Sequence, residues 1–208
     1  MIKSIFNSDG EAIKAALDIH STKGFVDVDP TYSIGNFYRK TGIEEPKLKF
    51  DIAPQVEGVI QSDARNLPLD NECVDTIVFD PPFLATMGKS LQKDDASNII
   101  AKRFSVFPNE QELHQFYIDS LKEFYRILRN KGIVIFKCQD KVSSGKQYLS
   151  HVFIINEAER LGFYTKDIGI LLAKSRIMAQ WQKNQKHFRK FHSYYLILQK
   201  QNKNIKYV

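Results

Sequence analysis

Only two cysteines occur in 208 residues, Cys73 and Cys138, and neither belongs to a CxxC pair or a Cys/His cluster. A disulfide framework and a structural zinc site are thereby disfavoured, and no metal is expected. No apolar stretch approaches the roughly 18 uninterrupted residues of a membrane-spanning helix. The opening segment, MIKSIFNSDGEAIKAA, lacks the continuous apolar core of a secretory signal. A cytoplasmic protein without a membrane partner is expected. Internal repeats and low-complexity linkers are also missing. The length suits one α/β domain with a real core and is too short for two, so residues 1–208 are expected to form a single domain.

The most informative absence is acidic. No Asp or Glu follows Asp167, while Lys174, Arg176, Lys183, Lys186, Arg189, Lys190, Lys200, Lys203 and Lys206 do. The whole chain carries a net charge of +6, which leaves residues 1–167 slightly acidic. A one-ended basic excess suits a surface that faces a polyanion. Residues 200–208 read as a solvated basic tail.

What is present is an alternation of helix and strand signals. Ser8 and Glu11 have capping-box spacing, and Ile13, Ala16, Leu17 and His20 follow on one helical face. Strands are expected over Gly24–Asp29, Leu48–Ile52, Gly58–Ser62 and Val74–Phe79. Asn109 and Glu112 cap a long helix with an apolar stripe from Leu113 to Leu128. Gly132 reads as its stop, before a strand over Ile133–Phe136. A helix over 147–161, closed by Gly162, precedes strands over Ile168–Ala173 and Tyr194–Leu198. Continuous apolar strands alternating with amphipathic helices predict a largely parallel sheet covered on both faces, with an antiparallel strand at its edge.

In such sheets ligands bind beyond the carboxyl ends of the strands. Asp29, Asp51, Asp63 and Asp80 each end or closely follow a predicted strand. One such acid alone is often only a helix cap; four in succession on one predicted edge suggest a site. The sharpest signal is Asp80-Pro81-Pro82-Phe83. Proline fixes φ, has no N–H, and pushes the preceding residue into an extended conformation, so the chain leaves its strand as a stiff hook.

With this hook the chain resembles the S-adenosylmethionine-dependent methyltransferases of exocyclic base amines, whose [D/N/S]-P-P-[Y/F/W] motif follows the fourth strand. The resemblance implies a Rossmann-like class I methyltransferase: an α/β fold with a mostly parallel seven-stranded sheet, an antiparallel edge strand and helices on both faces. It further implies catalytic roles for Asp80, Pro81, Pro82 and Phe83. Asp80 and the Pro81 carbonyl would accept the two N–H bonds of the target amine, and Phe83 would stack on a base swung out of its duplex.

Asp29-Pro30-Thr31-Tyr32-Ser33-Ile34-Gly35 is similar to the family's D-P-F-x-G-x-G cofactor loop, with Thr31 in place of Phe and Ser33 in place of the first glycine. Asp29, Thr31 and Gly35 would accordingly hold S-adenosylmethionine, with Asp51 at its ribose and Asp63-Ala64 at its adenine. The run DARNLPLDNECVDTIVFDPPF matches the family continuously.

Two segments lie where a substrate could be gripped. Residues 84–108 are long for a strand-to-helix connection and read as a lid or target loop. Residues 174–193 interleave cations with Trp181, Phe188 and Phe191, a pattern suited to phosphates and stacked bases. Arg176, Trp181, Lys183, Lys186, His187, Arg189 and Lys190 are the expected nucleic-acid contacts. Lys137, Gln139 and Asp140 adjoin the expected pocket without an assigned role.

The expected activity is methyl transfer to DNA, at adenine N6 in preference to cytosine N4. The adenine preference rests on the family's tendency for an Asp-first motif. RNA, a protein or a small molecule as substrate, and a non-catalytic nucleic-acid-binding module, are the alternatives.

Overall fold

The first helix is organised by its own cap. The Ser8 hydroxyl accepts the Glu11 N–H at 3.2 Å, and the Glu11 carboxylate reaches back to the Asn7 N–H at 3.0 Å. Helix α1 (Asp9–His20) thereby turns Ala12, Ile13, Ala16 and Leu17 inward. The structure, a computed structural model, describes residues 1–83, 85, 107–143, 145–173 and 187–201.

Helix α2 (Glu110–Ile127) starts at Asn109, whose side chain accepts the Glu112 N–H at 2.9 Å, and buries Leu113, Tyr117, Leu121 and Phe124. Helix α3 (Ser150–Arg160) has no cap from Leu149. Asp140 supplies one instead, its Oδ1 accepting the His151 N–H at 3.3 Å. Gly162, at φ 97°, reverses the chain after α3.

The strands are β1 (Ile5–Phe6), β2 (Val28–Asp29), β3 (Leu48–Asp51), β4 (Ile60–Gln61), β5 (Val74–Phe79), β6 (Leu128–Cys138), β7 (Lys141–Ser143), β8 (Lys146–Tyr148), β9 (Phe163–Leu172) and β10 (His192–Lys200). Eight form one sheet in the order β1-β9-β10-β6-β5-β2-β3-β4, while β7 and β8 form a separate hairpin. Strands β2 to β6 run parallel, and β10 runs antiparallel to both β6 and β9.

Two expectations about the sheet are corrected here. It has eight strands among the described residues rather than seven, because the two-residue β1 pairs in parallel with β9 at one margin. The reversed strand is interior rather than at the edge. Its run Tyr195–Leu198 is fully buried, as a strand covered on both faces must be.

The sheet divides its side chains strictly. Ile77, Phe79, Val134, Phe136, Leu196 and Leu198 join the core under α2 and α3. Their neighbours Val78, Ile133, Ile135, Tyr195 and Ile197 join the core under α1. This alternation follows from the period of two along a strand. Phe79 stands at the centre of the first core, edge-on to Phe124 at 4.8 Å and to Phe136 at 5.0 Å. Rings buried in this way stabilise a fold by about 3–5 kcal/mol relative to Ala.

Gly132 is not the helix stop that its position suggests. Strand pairing begins at Leu128, and Lys131 takes the left-handed turn at φ 67°. The register then slips, so that Val74 faces Leu128 but Thr76 faces Ile133. A Cβ on Gly132 would lie 2.9 Å from the Arg129 carbonyl oxygen and 3.0 Å from that of Asp75. Glycine is needed there for close backbone approach.

Candidate active site

The chain runs outward from β2 to β3 and β4, then crosses back to place β5 on the other side of β2. The crevice between β2 and β5 is therefore the switch point at which such sheets bind ligands. Asp29 ends β2 and Asp80 follows β5, so both acids sit at that crevice. The Asp80 N–H donates to Thr31 Oγ1 at 3.0 Å, tying the two strand ends together. A cavity of about 270 Å³ opens beside them. Asp29, Thr31, Asp51, Asp63, Ala64, Asp80 and Pro82 all line it, so the structure brings together seven of the ten catalytic and cofactor-binding residues singled out in the sequence.

Asp29 is almost fully buried and accepts from the Thr31 N–H at 2.9 Å, the Thr31 hydroxyl at 3.3 Å and the Tyr38 hydroxyl at 2.8 Å. Burial nonetheless dominates, and its carboxyl is pushed up to about 7. The loop after it keeps a glycine-type backbone without the first glycine. Ser33 adopts φ 51° and donates its N–H to Asp51 Oδ2 at 2.8 Å. Gly35 follows at φ 74°, and a Cβ there would clash with the Tyr32 hydroxyl. Gly35 shapes the turn without lining the cavity.

Asp51 also accepts the Ala53 N–H at 2.8 Å. A carboxylate offers about four acceptor sites, so capacity remains for a hydroxyl. Asp63 is more committed. Arg65 grips it with Nη2 at 2.6 Å and Nε at 2.9 Å, which holds the carboxyl below its ordinary range. The Arg65 guanidinium also lies over the Phe116 ring, 5.6 Å from its centroid.

The hook is braced at successive residues. The Tyr117 hydroxyl donates to the Pro82 carbonyl at 2.7 Å, and Lys141 Nζ donates to the Phe83 carbonyl at 2.5 Å. Lys141 is itself buried and paired with Glu110 at 2.8 Å. Pro81 is buried, and Phe83 is half-buried without lining the cavity. Phe107 and Phe116, 5.0 Å apart, supply aromatic wall instead. Asp80 Oδ1 is inaccessible to solvent and has no hydrogen-bond partner among the described residues. Burial raises the Asp80 carboxyl above its ordinary range, while Lys137 opposes that rise.

Lys137, placed beside the expected pocket from sequence but given no role, meets Asp80 here together with Asp9 and Tyr195, which the sequence did not single out for the site. Lys137 Nζ lies 2.8 Å from Asp9 Oδ1 and 3.5 Å from Asp80 Oδ2. No motif marks them. The one available signal was a lysine inside the apolar run of β6.

Arg176, Trp181, Lys183 and Lys186 lie outside the described residues, as do Leu84 and residues 86–106 of the expected lid. His187 is exposed, and Arg189 and Lys190 are half-buried, near the start of β10. Among the described residues, no group of three or more His, Cys, Asp or Glu side chains could hold a metal ion, and no helix is long and apolar enough to cross a membrane.

No family profile and no curated protein matches the sequence. Among solved structures, a chain from the complex between the Haloferax volcanii Trm112 methyltransferase activator and a candidate methyltransferase aligns with a TM-score of 0.51 at 12% identity, over 93% of this chain and 90% of that one. A candidate DNA modification methylase of Thermus thermophilus, complexed with S-adenosyl-L-methionine, gives a TM-score of 0.46 at 16% identity, over 70% and 54%. This chain thus spans about half the length of the Thermus protein. A candidate methyltransferase of Bacillus halodurans gives 0.43 at 12% identity, over 86% and 92%. At these identities the likeness is one of fold: the chain has the Rossmann-like class I methyltransferase fold.

Proposed function

We propose that this chain is an S-adenosylmethionine-dependent methyltransferase acting on the exocyclic amino group of a base in DNA, with adenine N6 preferred. The observation that carries the reading is Asp80. A buried carboxylate oxygen without a partner among the described residues heads a doubly braced hook at the switch-point crevice. An orphaned buried acceptor of this kind costs about 1–3 kcal/mol, which a donor arriving with the substrate would recover.

The cavity fits the cofactor in its donor set and backbone. The left-handed turn at Ser33 and Gly35 brings the loop residues Tyr32, Ser33 and Ile34 to the cavity wall. Asp51 retains acceptor capacity for ribose hydroxyls. Ala64 and the Arg65-braced Asp63 stand where an adenine ring would lie, with Phe116 beside them. When bound, the cofactor supplies an electrophilic methyl group on a sulfonium.

The protein's own contribution is to make a poor nucleophile attack. The lone pair of adenine N6 is delocalised into the ring. Asp80 accepts one N–H of the amine, and the Pro81 carbonyl accepts the other. Both bonds strengthen as the nitrogen turns towards sp³ geometry, so they favour the transition state over the ground state. The Asp χ2 torsion is broad and roughly two-fold, so either carboxylate oxygen can be aimed at the amine. Asp80 is also placed to hold the proton that the amine gives up. The basic segment before β10 would meet phosphates, and aromatic rings would receive the extruded base.

The test is transfer of a deuterated methyl group from S-adenosylmethionine to duplex DNA, single-stranded DNA and RNA, read as nucleoside masses. N6-methyladenine from DNA is the expected product. Label only in RNA, only in cytosine, or in neither polymer would overturn the substrate assignment.

A further inference from the structure

Behind the hook lies a chain of charged and polar groups that the proposed reaction does not use. Lys137 is on β6, directly across from Tyr195 of β10 in the sheet register. Its side chain is 12% exposed, and its ammonium sits between Asp9 at 2.8 Å and Asp80 at 3.5 Å, with the Phe37 ring 5.1 Å away. The Tyr195 hydroxyl donates to Asp9 Oδ1, the same oxygen that Lys137 meets. Burying a lysine is costly unless opposite charge compensates it. Two carboxylates from different elements provide that compensation here.

We infer that Lys137 is the positioning residue of the hook: fixed by Asp9 and Tyr195, it pairs with one Asp80 carboxylate oxygen, Oδ2 in this structure, keeps the carboxylate ionised, and leaves the other oxygen to accept from the target amine. This inference rests on the reading of Asp80 as the amine acceptor. The groups facing Asp80 divide clearly. Asp9 on α1 and Asp29 on β2 are acids that oppose its charge, whereas Lys137 is the cation set against them. Tyr195 on β10 and Tyr117 on α2 are hydroxyls held protonated, their ionisation pushed up by burial. Lys137 is itself raised by Asp80 and Asp9 against the opposing effect of burial, so it stays charged. A neutral Asp80 would present a hydroxyl with a single acceptor oxygen and would be a poorer partner for an amine.

Three variants test this, with Asp80 followed in the ligand-free protein by carboxyl carbon NMR and assigned by its loss in Asp80→Asn. Lys137→Gln should move the Asp80 midpoint upward by about one pH unit or more, as loss of an adjacent opposite charge does. Lys137→Arg should restore it. Asp9→Asn should move it downward, because an acid that opposes Asp80 is gone and Lys137 is left with one partner. The acid limb of single-turnover methyl transfer should shift in the same directions. An unmoved Asp80 midpoint in Lys137→Gln overturns the inference, as does an acid limb that does not follow it. Should Lys137→Gln fail to fold, Lys137→Met, which keeps the apolar stem, takes its place with the same upward shift expected. If the wild type transfers no methyl group while the midpoints move as stated, the electrostatic placement stands. The functional reading falls, and with it the role in catalysis.

Discussion

The two loops that meet at the crevice achieve rigidity by different means. The hook at Asp80–Phe83 is stiff by covalent structure: two prolines fix its path, and Tyr117 and Lys141 brace its carbonyls. The loop at Asp29–Gly35 has one proline and a single glycine, and is held by carboxylates. Asp29 collects three donors, and Asp51 reaches across from β3 to the Ser33 N–H. The hook is therefore legible as letters, whereas the other loop keeps a backbone shape with different letters. In this loop a serine holds a left-handed turn because the Asp51 carboxylate accepts its N–H.

The difference can be broken most severely at Asp80. Asp80→Ala should lower methyl transfer at least about 10²-fold, the usual loss for a transition-state hydrogen-bonding group. Its thermal midpoint should change little, because removal of the orphaned oxygen is offset by the loss of one of the two carboxylates that compensate Lys137. Scanning calorimetry beside a transfer assay separates the two effects.

On the other side of the crevice, Gly35→Ala should cost about 1–2 kcal/mol of stability through its left-handed φ alone. The clash with Tyr32 adds to that loss and should weaken binding of S-adenosylhomocysteine, read by titration calorimetry. Asp29→Asn probes the buried carboxyl. Its folded-state value of about 7 lies above the ordinary range, so between about pH 4 and pH 7 the folded protein holds a proton that the unfolded chain lacks. Stability is thus lost as pH rises through that window. Asp29→Asn should flatten this slope and gain more stability at pH 8 than at pH 5, measured by urea unfolding.

The smallest effect belongs to Ser33→Gly. Relief of the left-handed serine is worth about 1–2 kcal/mol, and the added freedom of the unfolded chain takes back about 0.5–1. A net gain of about 0.5 kcal/mol with cofactor affinity retained would confirm that Asp51, not the residue at 33, holds the loop.

Much of the architecture could be read locally. The bounds of β5 and the Asn109 cap of α2 follow from an apolar run and a capping residue. Other features could not be read in this way. Strand β1 and the β7–β8 hairpin are too short to show a period. The interior place of β10 depends on which strands pair, and no local pattern records that. Gly132 shows how a glycine can be misread: the expected left-handed conformation went to Lys131, and the glycine serves close packing instead. Within the site, the four acids and the hook stood out as unusual residue types at strand ends, and Asp29, Asp51, Asp63, Asp80 and Pro82 do line one cavity. Lys137 did not, because its role depends on Asp9, far away in sequence but adjacent in space. Phe107 and Phe116 line the cavity where Phe83 does not, a consequence of where α2 packs.

The central claim, that the Asp80 hook methylates a base amine, is tested most directly in cells. Nucleosides from the DNA and RNA of cells expressing the wild type or Asp80→Ala would be resolved by liquid chromatography and mass spectrometry. The account predicts N6-methyladenine in DNA with the wild type and background levels with the variant. Equal methylation by both proteins, or no methylated base with the wild type, would contradict it.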